Sequence, residues 1–376
     1  MSYEFELGPI RPPSEAMSIL IRVTRNCPWN KCTFCKTYTD QRFSRRSAEE
    51  IKKDIDSIHA IAEKIVNASN KFNGEITHEV LREAMGNDTG SSFYFQQVAF
   101  WLQCGMNSVF LQDANSLILK TSELVDVLKH INDKFPNLER ITTYSRAKTV
   151  SKKSVEELKE IREAGLTRLH IGMESGSDKI LQMVKKGVTQ IEQISAGKKA
   201  IEAGFDLSEY YMPGLGGKEL SKENAIESAK VINEINPTFI RIRSTSPIPG
   251  TELYKSMTEN EWIPLTEIEK VEEIKLFIEN LEGITSNLLS DHMMNLIENL
   301  EGKFPEDKNK MIDITDKFLN MSQEDKESFI IGRRLGYFRF LDDFYPNRKI
   351  DKIKSSLMTK YASVDEAIMD LVRTAL

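Results

Sequence analysis

Cysteine is scarce in this chain of 376 residues, which has four of them against 51 Lys and Arg and 57 Asp and Glu. Three of the four, Cys27, Cys32 and Cys35, fall in one short stretch. That clustering excludes the spread framework of a disulfide-stapled extracellular domain. Long apolar runs are missing too. None approaches the roughly 20 residues that a bilayer span requires, so no membrane span is expected. The first thirty residues lack the charged start, apolar stretch and small-residue cleavage site of a secretory signal, and a cytoplasmic protein is the expectation. Basic residues do not dominate. The net charge is −6, which argues against a general nucleic-acid binder, and nucleic acid is not expected among the partners. No low-complexity tract occurs, and no repeat beyond an alternation of strands and helices.

What is present can bury a core. Hydrophobic residues make up 40% and charged residues 29% of the chain, the balance of a folded globular protein. Apolar patterning predicts a strand over 18–24, then five more at 108–111, 140–144, 168–171, 205–211 and 238–242. Helical spacing separates them at 121–135, 154–164, 191–203 and 222–236, and an earlier helix is predicted over 48–66. Gly165 and Gly204 stand where helices end, Thr121 and Ser154 where they start. Six strands alternating with helices imply an α/β fold with a parallel sheet and right-handed crossovers, either flat or closed into a partial barrel. Reactive groups then belong at the C-terminal ends of the strands. After about Thr251 the pattern turns helical, with segments at 252–254, 267–281, 291–300 and 323–344. The boundaries follow: an N-terminal extension over 1–17, a strand–helix domain over 18–254 with an insertion at about 67–105, and a helical C-terminal region over 255–376.

The cysteines form Cys27-Pro-Trp-Asn-Lys-Cys32-Thr-Phe-Cys35, a C-x4-C-x2-C spacing directly after the first strand. Three thiolates this close suit a metal or iron–sulfur site. On a four-iron cluster, three thiolates leave one iron free to bind a small molecule. The alternative is a zinc site completed by Cys104 or a histidine. Cys104 itself lies in an apolar segment and reads as a buried small hydrophobe.

Further motifs follow in order. They are Val109-Phe110-Leu111-Gln112-Asp113-Ala114-Asn115 after the second strand and Leu169-His170-Ile171-Gly172-Met173-Glu174-Ser175-Gly176-Ser177 on the fourth. Tyr211-Met212-Pro213-Gly214-Leu215-Gly216-Gly217-Lys218-Glu219 comes after the fifth, and Ser246-Pro247-Ile248-Pro249-Gly250-Thr251-Glu252-Leu253-Tyr254 after the sixth. With the cysteine loop, this series resembles the radical S-adenosylmethionine superfamily over about residues 18–254. The branch resembled includes oxygen-independent coproporphyrinogen oxidase and the core domains of tRNA methylthiotransferases. The family's usual cysteine spacing is one residue shorter in the first gap, and Phe34 matches its aromatic before the last cysteine.

The resemblance implies a partial (β/α)6 barrel with a helical C-terminal region. It implies a [4Fe–4S] cluster on Cys27, Cys32 and Cys35, with S-adenosylmethionine as second cofactor. Glu174 then approaches the ribose and methionine moiety of that cofactor, Gln112 and Asp113 take the place of the family's amino-group contact, and the turn with Gly214 and Gly216 lies near the adenine. The implied activity is reductive cleavage to a 5′-deoxyadenosyl radical and hydrogen abstraction from an unidentified substrate, with a flavodoxin- or ferredoxin-type electron donor. The lack of spare cysteines disfavours an auxiliary cluster, and no N-terminal extension is long enough for a cobalamin domain.

Other readings stay open. A haem- or cofactor-trafficking protein on the same scaffold would draw an axial ligand from His59, His78, His130, His170 or His292. A zinc-stabilised interaction protein is the third. Arg146, Arg168, His170, Arg241 and Arg243, at strand ends, suit either an anionic ligand or ion pairing with helices. The aromatic segment 92–104 suits a core-packing helix or a pocket wall. Arg42, Arg45 and Arg46 read as a solvated surface.

Overall fold

The protein is described here from a computed structural model, over residues 3–375. Its chain divides into two compact units. The first comprises Met1–Asn30, Thr37–Ile171 and Lys199–Leu207, and the second Lys31–Lys36, Gly172–Lys198 and Ser208–Leu376.

In the first unit, β1 (Ile19–Arg22) is followed by a short antiparallel pair, β2 (Thr24–Arg25) and β3 (Ser44–Arg45). Helix α1 (Ala48–Ser69) opens on a Ser47–Glu50 capping box, in which each residue satisfies a backbone donor of the other. Its Ile51, Ile55, Ile58, Ala62 and Ile65 form the buried stripe that the helical spacing predicts. Helices α2 (His78–Met85) and α3 (Ser92–Gln103) lie within residues 67–105 and pack against α1. The aromatic segment is therefore a packing helix. Phe95, Val98, Ala99 and Trp101 are buried, and the Trp101 indole donates to Ser108 O at 2.8 Å. Cys104 caps that helix half-buried rather than buried, since the helix ends there and Gly105 follows at φ +91°.

Strand β4 (Ser108–Gln112) comes next, then α4 (Thr121–Lys134), β5 (Arg140–Ser145), α5 (Ala147–Lys152), α6 (Val155–Glu163) and β6 (Arg168–Glu174). The strands pair in parallel in the order β1, β4, β5, β6. Val109, Leu111, Leu169 and Ile171 are fully buried, the continuous apolar character of a sheet covered on both faces.

Helices α7 (Asp178–Met183) and α8 (Gln190–Glu202) lead to β7 (Asp206–Tyr211), and α9 (Gly217–Ile235) leads to β8 (Phe239–Ile242). Both β6 and β7 carry residues of the two units. In the second unit β8 pairs in parallel with β7 and with β9 (Asn287–Leu289), and β9 pairs antiparallel with β10 (Gly302–Lys303). The C-terminal region thus adds two short strands to the six expected, among helices α10 (Glu252–Thr258), α11 (Glu267–Glu279), α12 (Lys308–Leu319), α13 (Gln323–Arg334), α14 (Arg348–Leu357) and α15 (Val364–Ala375).

Residues 291–300, expected as a helix, are turns. The buried Asn295 side chain explains this: it accepts from Ser244 N at 2.9 Å and donates to Ile242 O at 2.8 Å, bonding the backbone at the end of β8. The helix expected over 323–344 stops at Arg334, and Gly336 follows at φ +78°. Among the described residues no helix is long and apolar enough to cross a membrane.

Candidate cofactor site

The cysteine loop begins in the first unit. There Asp113, just beyond β4, is fully buried. Its Oδ2 accepts from Arg22 Nε at 2.8 Å and from Asn26 N at 3.1 Å, which fixes the residue before Cys27. Arg22 also donates to Glu6 Oε1 at 3.0 Å, and Glu6 pairs with Arg25 at 2.6 Å. Gln112 is 1% exposed and grips the N-terminal extension. Its Oε1 accepts from Gly8 N at 2.8 Å, and its Nε2 donates to Gly8 O at 3.1 Å and Ile10 O at 2.8 Å. A Cβ at Gly8 would lie 2.1 Å from Asp113 Oδ1, so only glycine lets the extension pass. Both residues expected to meet a cofactor therefore hold the protein's own chain.

Asn115 ties β4 to β5. Its Oδ1 accepts from Ser145 Oγ at 3.0 Å and Arg146 N at 3.2 Å, and its Nδ2 donates to Thr149 Oγ1 at 2.8 Å. Arg146, so placed at the start of α5, sets its guanidinium 4.9 Å from the centre of the Trp29 ring, a cation–π contact inside the cysteine loop. In the same loop Cys27 Sγ accepts from Asn30 N at 3.4 Å, and Asn30 Nδ2 donates to Tyr38 O at 2.6 Å. Burial, and then the Asp113 carboxylate, push the Tyr38 phenol above its ordinary range. Arg46, expected on the surface, is 5% exposed and donates to Asp54 Oδ2 at 2.6 Å.

Cys32 and Cys35 belong to the second unit. Cys35 N donates to Cys32 O at 3.2 Å, closing a turn between the two thiols. Thr33, between them, donates its N–H to Val184 O at 3.0 Å, and its carbonyl accepts from Leu253 N at 2.9 Å. Phe34 packs on the apolar cluster of Ile180, Val184, Met212, Leu215, Leu220, Leu253 and Trp262. Lys36 Nζ donates to Pro249 O at 2.8 Å. The Pro-Gly-Thr segment and the glycine turn therefore both brace this half of the loop.

The glycine turn itself follows β7. Gly214 has φ +81°, which L side chains rarely adopt. A Cβ on Gly216 would lie 2.8 Å from Leu220 Cβ and 2.9 Å from Ile180 Cδ1, so that position is closed by packing. Glu174, ending β6 at φ +63°, accepts from Lys186 Nζ at 2.7 Å. Its carbonyl accepts from Met212 N at 2.8 Å. Glu209 on β7 escaped the sequence reasoning. It is 2% exposed, and its Oε2 meets no hydrogen-bond partner. Burial, with the neighbouring Glu174 carboxylate, raises it well above the carboxylate range, and Lys186 opposes the shift. A glutamate flanked by apolar and aromatic strand residues (Leu207 to Tyr211) was the available signal.

Two of the other strand-end cations are engaged in ion pairs. Arg168 meets Asp206 at 3.0 Å, and Arg241 pairs with Asp291 while donating to Ser208 Oγ at 3.1 Å. The fully buried His170 lies 3.9 Å from the equally buried Glu15. Burial raises Glu15, but His170, Ser18 and Arg140 outweigh it and hold the carboxyl down at about 2. His130 meets Asp56 at 2.9 Å, His59 meets Glu63 at 3.5 Å, and His292 Nδ1 accepts from Met294 N at 3.2 Å. His78 begins α2.

No disulfide links the four cysteines, and Cys27, Cys32 and Cys35 are at least partly accessible. Among the described residues no three His, Cys, Asp or Glu side chains converge as one metal ion demands. Thiolates on a cubane cluster sit on separate irons and carry no such requirement. Cys27 in the first unit and Cys32 and Cys35 in the second are thiols, the donor type that an iron–sulfur cluster takes.

Parallel strands whose C-terminal ends carry these side chains are the frame of an α/β enzyme. The family model described as the Radical SAM superfamily matches residues 102–229. That segment is a match to the radical SAM superfamily of enzymes, whose cofactors are a [4Fe–4S] cluster and S-adenosylmethionine. The matched segment begins after the cysteine loop. A tRNA uridine(34) acetyltransferase from Methanocaldococcus infernus is 28% identical over 122 residues, 32% of this chain and 23% of that protein. An uncharacterized methyltransferase from Pyrococcus horikoshii is 26% identical over 142 residues, 36% of this chain and 30% of that one. The chain thus spans less than a third of the length of these curated relatives. The archaeal Methanocaldococcus infernus Elp3 with an N-terminal deletion superposes with a TM-score of 0.43 at 18% identity, covering 61% of this chain and 60% of that one.

Proposed function

We propose that the chain is a radical S-adenosylmethionine enzyme in which Cys27, Cys32 and Cys35 hold a [4Fe–4S] cluster and leave one iron for the cofactor. The observation that carries this reading is the three-cysteine loop preceding a radical SAM segment in one chain. When bound, the cluster and S-adenosylmethionine supply a one-electron cleavage to methionine and a 5′-deoxyadenosyl radical, which takes a hydrogen atom from the unidentified substrate.

The chain's own residues then orient and enclose. Asp113 and Arg22 set the backbone before Cys27. Phe34 and Thr33 set the peptide between Cys32 and Cys35. Arg146, stacked on Trp29, covers the loop and presents a cation to a carboxylate. Glu174, held by Lys186, offers its second oxygen to a hydroxyl or ammonium group. Gly214 offers its backbone to a flat ring, and Gly216 shapes the turn by packing on Leu220 and Ile180. Gln112 acts by holding residues 8–10 and not by touching the cofactor. Partly accessible thiols suit delivery of electrons by a flavodoxin- or ferredoxin-type donor in the cytoplasm.

Anaerobic reconstitution with iron and sulfide, followed by dithionite and S-adenosylmethionine, tests the proposal. The native protein is expected to release 5′-deoxyadenosine and methionine, and Cys32→Ala neither. Zinc without sulfide in the reconstituted protein, or a reduced cluster that leaves S-adenosylmethionine intact, overturns it.

A further inference from the structure

Helix α11 follows the strand–helix domain, and nothing above gives it a role at the cofactor. Its Glu273 is 2% exposed. Oε1 accepts from Tyr211 OH at 2.8 Å, Gly214 N at 3.0 Å and Asn224 Nδ2 at 2.7 Å. Oε2 accepts from Ser221 Oγ at 2.6 Å. The four donors come from β7, from the glycine turn and from α9. All are neutral, so the carboxylate is held by directed dipoles and not by an ion pair. A buried carboxylate is costly unless its lone pairs are filled, and this one fills them on groups that define the turn.

Anchoring α11 does not explain the arrangement. That helix already carries the buried Glu267, which pairs with Lys270 at 3.0 Å and donor Arg334 at 2.5 Å. Glu273 instead fixes the turn from two sides. It takes the Gly214 N–H directly, and it holds Asn224, whose Nδ2 also donates to Met212 O at 3.0 Å. Thr245 N meets Pro213 O at 2.9 Å, and the Trp262 indole meets Leu215 O at 3.2 Å. With Gly214 at φ +81° the backbone has an unusual shape, which Glu273 secures through the amide of that residue and Gly217 N through its carbonyl at 3.1 Å. A backbone surface fixed before binding loses little entropy when a ligand docks on it.

We propose that Glu273 is a positioning residue for S-adenosylmethionine: it fixes the turn over residues 212–217 in the shape that receives the adenine moiety. The inference rests on the proposed function. Glu273→Gln keeps one oxygen for the three Oε1 donors, and its Nε2 donates to the Ser221 hydroxyl, so the turn keeps its form. Glu273→Ala and Glu273→Asp do not reach Gly214 N.

Equilibrium binding of S-adenosylmethionine to the anaerobically reconstituted full chain tests this, beside hydrogen exchange of the amides over 212–217. Expected are a loss of affinity of about tenfold or more and faster exchange in Glu273→Ala, with affinity within about threefold of native in Glu273→Gln. If the alanine variant does not fold, Glu273→Asp gives the answer, with the same loss expected. Native affinity in a folded alanine or aspartate variant overturns the proposal, as does an equal loss in Glu273→Gln. A native chain that binds no S-adenosylmethionine defeats the proposed function itself, and is told apart by its failure before any substitution.

Discussion

Two strand ends in this protein are each fixed by a buried carboxylate, and they are fixed differently. After β4, Asp113 holds its neighbourhood through charge: Arg22 lies 2.7 Å away, Glu6 shares that arginine, and the N-terminal extension packs over both. After β7, Glu273 holds the glycine turn through neutral donors only. An ion pair fails when either charge is removed, because the partner is left buried and uncompensated. A carboxylate among neutral dipoles needs its shape more than its charge.

The largest expected effect comes from removing the charge at the first strand end. Asp113→Ala leaves Arg22, 13% exposed, without that partner, a change that costs about 3–5 kcal/mol for a buried pair. Denaturant unfolding measures it, and Asp113→Asn is expected to lose most of the same stability. If Asp113→Asn is as benign as Glu273→Gln, the contrast between the two strand ends is broken.

Acid gives the next effect. Glu15 in the first unit and Glu267 in the second are both held at about 2, against an ordinary 4.5. Their contributions are complete above pH 4.5 and are lost as pH falls through about 2. Such a depression corresponds to on the order of 3 kcal/mol per group. Melting temperature against pH reads the loss, and Glu15→Gln is expected to flatten the acid limb. An unchanged limb means that His170, Ser18 and Arg140 do not favour the charged form.

The smallest effect is expected at Gly8. An added Cβ meets Asp113 Oδ1 at 2.1 Å, so the extension must shift outward. Gly8→Ala is expected to cost about 1–3 kcal/mol, as overpacking does, and to speed proteolysis near residue 10. Unaltered proteolysis shows that the extension does not depend on that close approach.

Much of this was legible in the order of residues. The α1 stripe of Ile51, Ile55 and Ile58 follows from a period that only one buried helix face satisfies. The apolar runs gave six strands and their parallel sense, since each is followed by a helix. The cysteine loop was visible because its chemistry sits in one short stretch. The polar bracing was not visible. Gln112 and Asp113 stand where cofactor acceptors were expected, but their partners are Gly8, 104 residues away for Gln112, and Arg22, 91 residues away for Asp113. Strands β9 and β10 are three and two residues long, too short to show a period. Residues 291–300 carry helical spacing, yet Asn295 spends its side chain on the end of β8.

The sequence by itself determined the α/β alternation, the covered parallel sheet and the three thiols, because each depends on neighbours in the chain. Tertiary structure alone decided which carboxylates are satisfied, and by what. Hydrogen bonds and ion pairs are short-ranged, and a side chain such as Glu273 becomes a support for Gly214 only when folding brings α11 against β7 and α9.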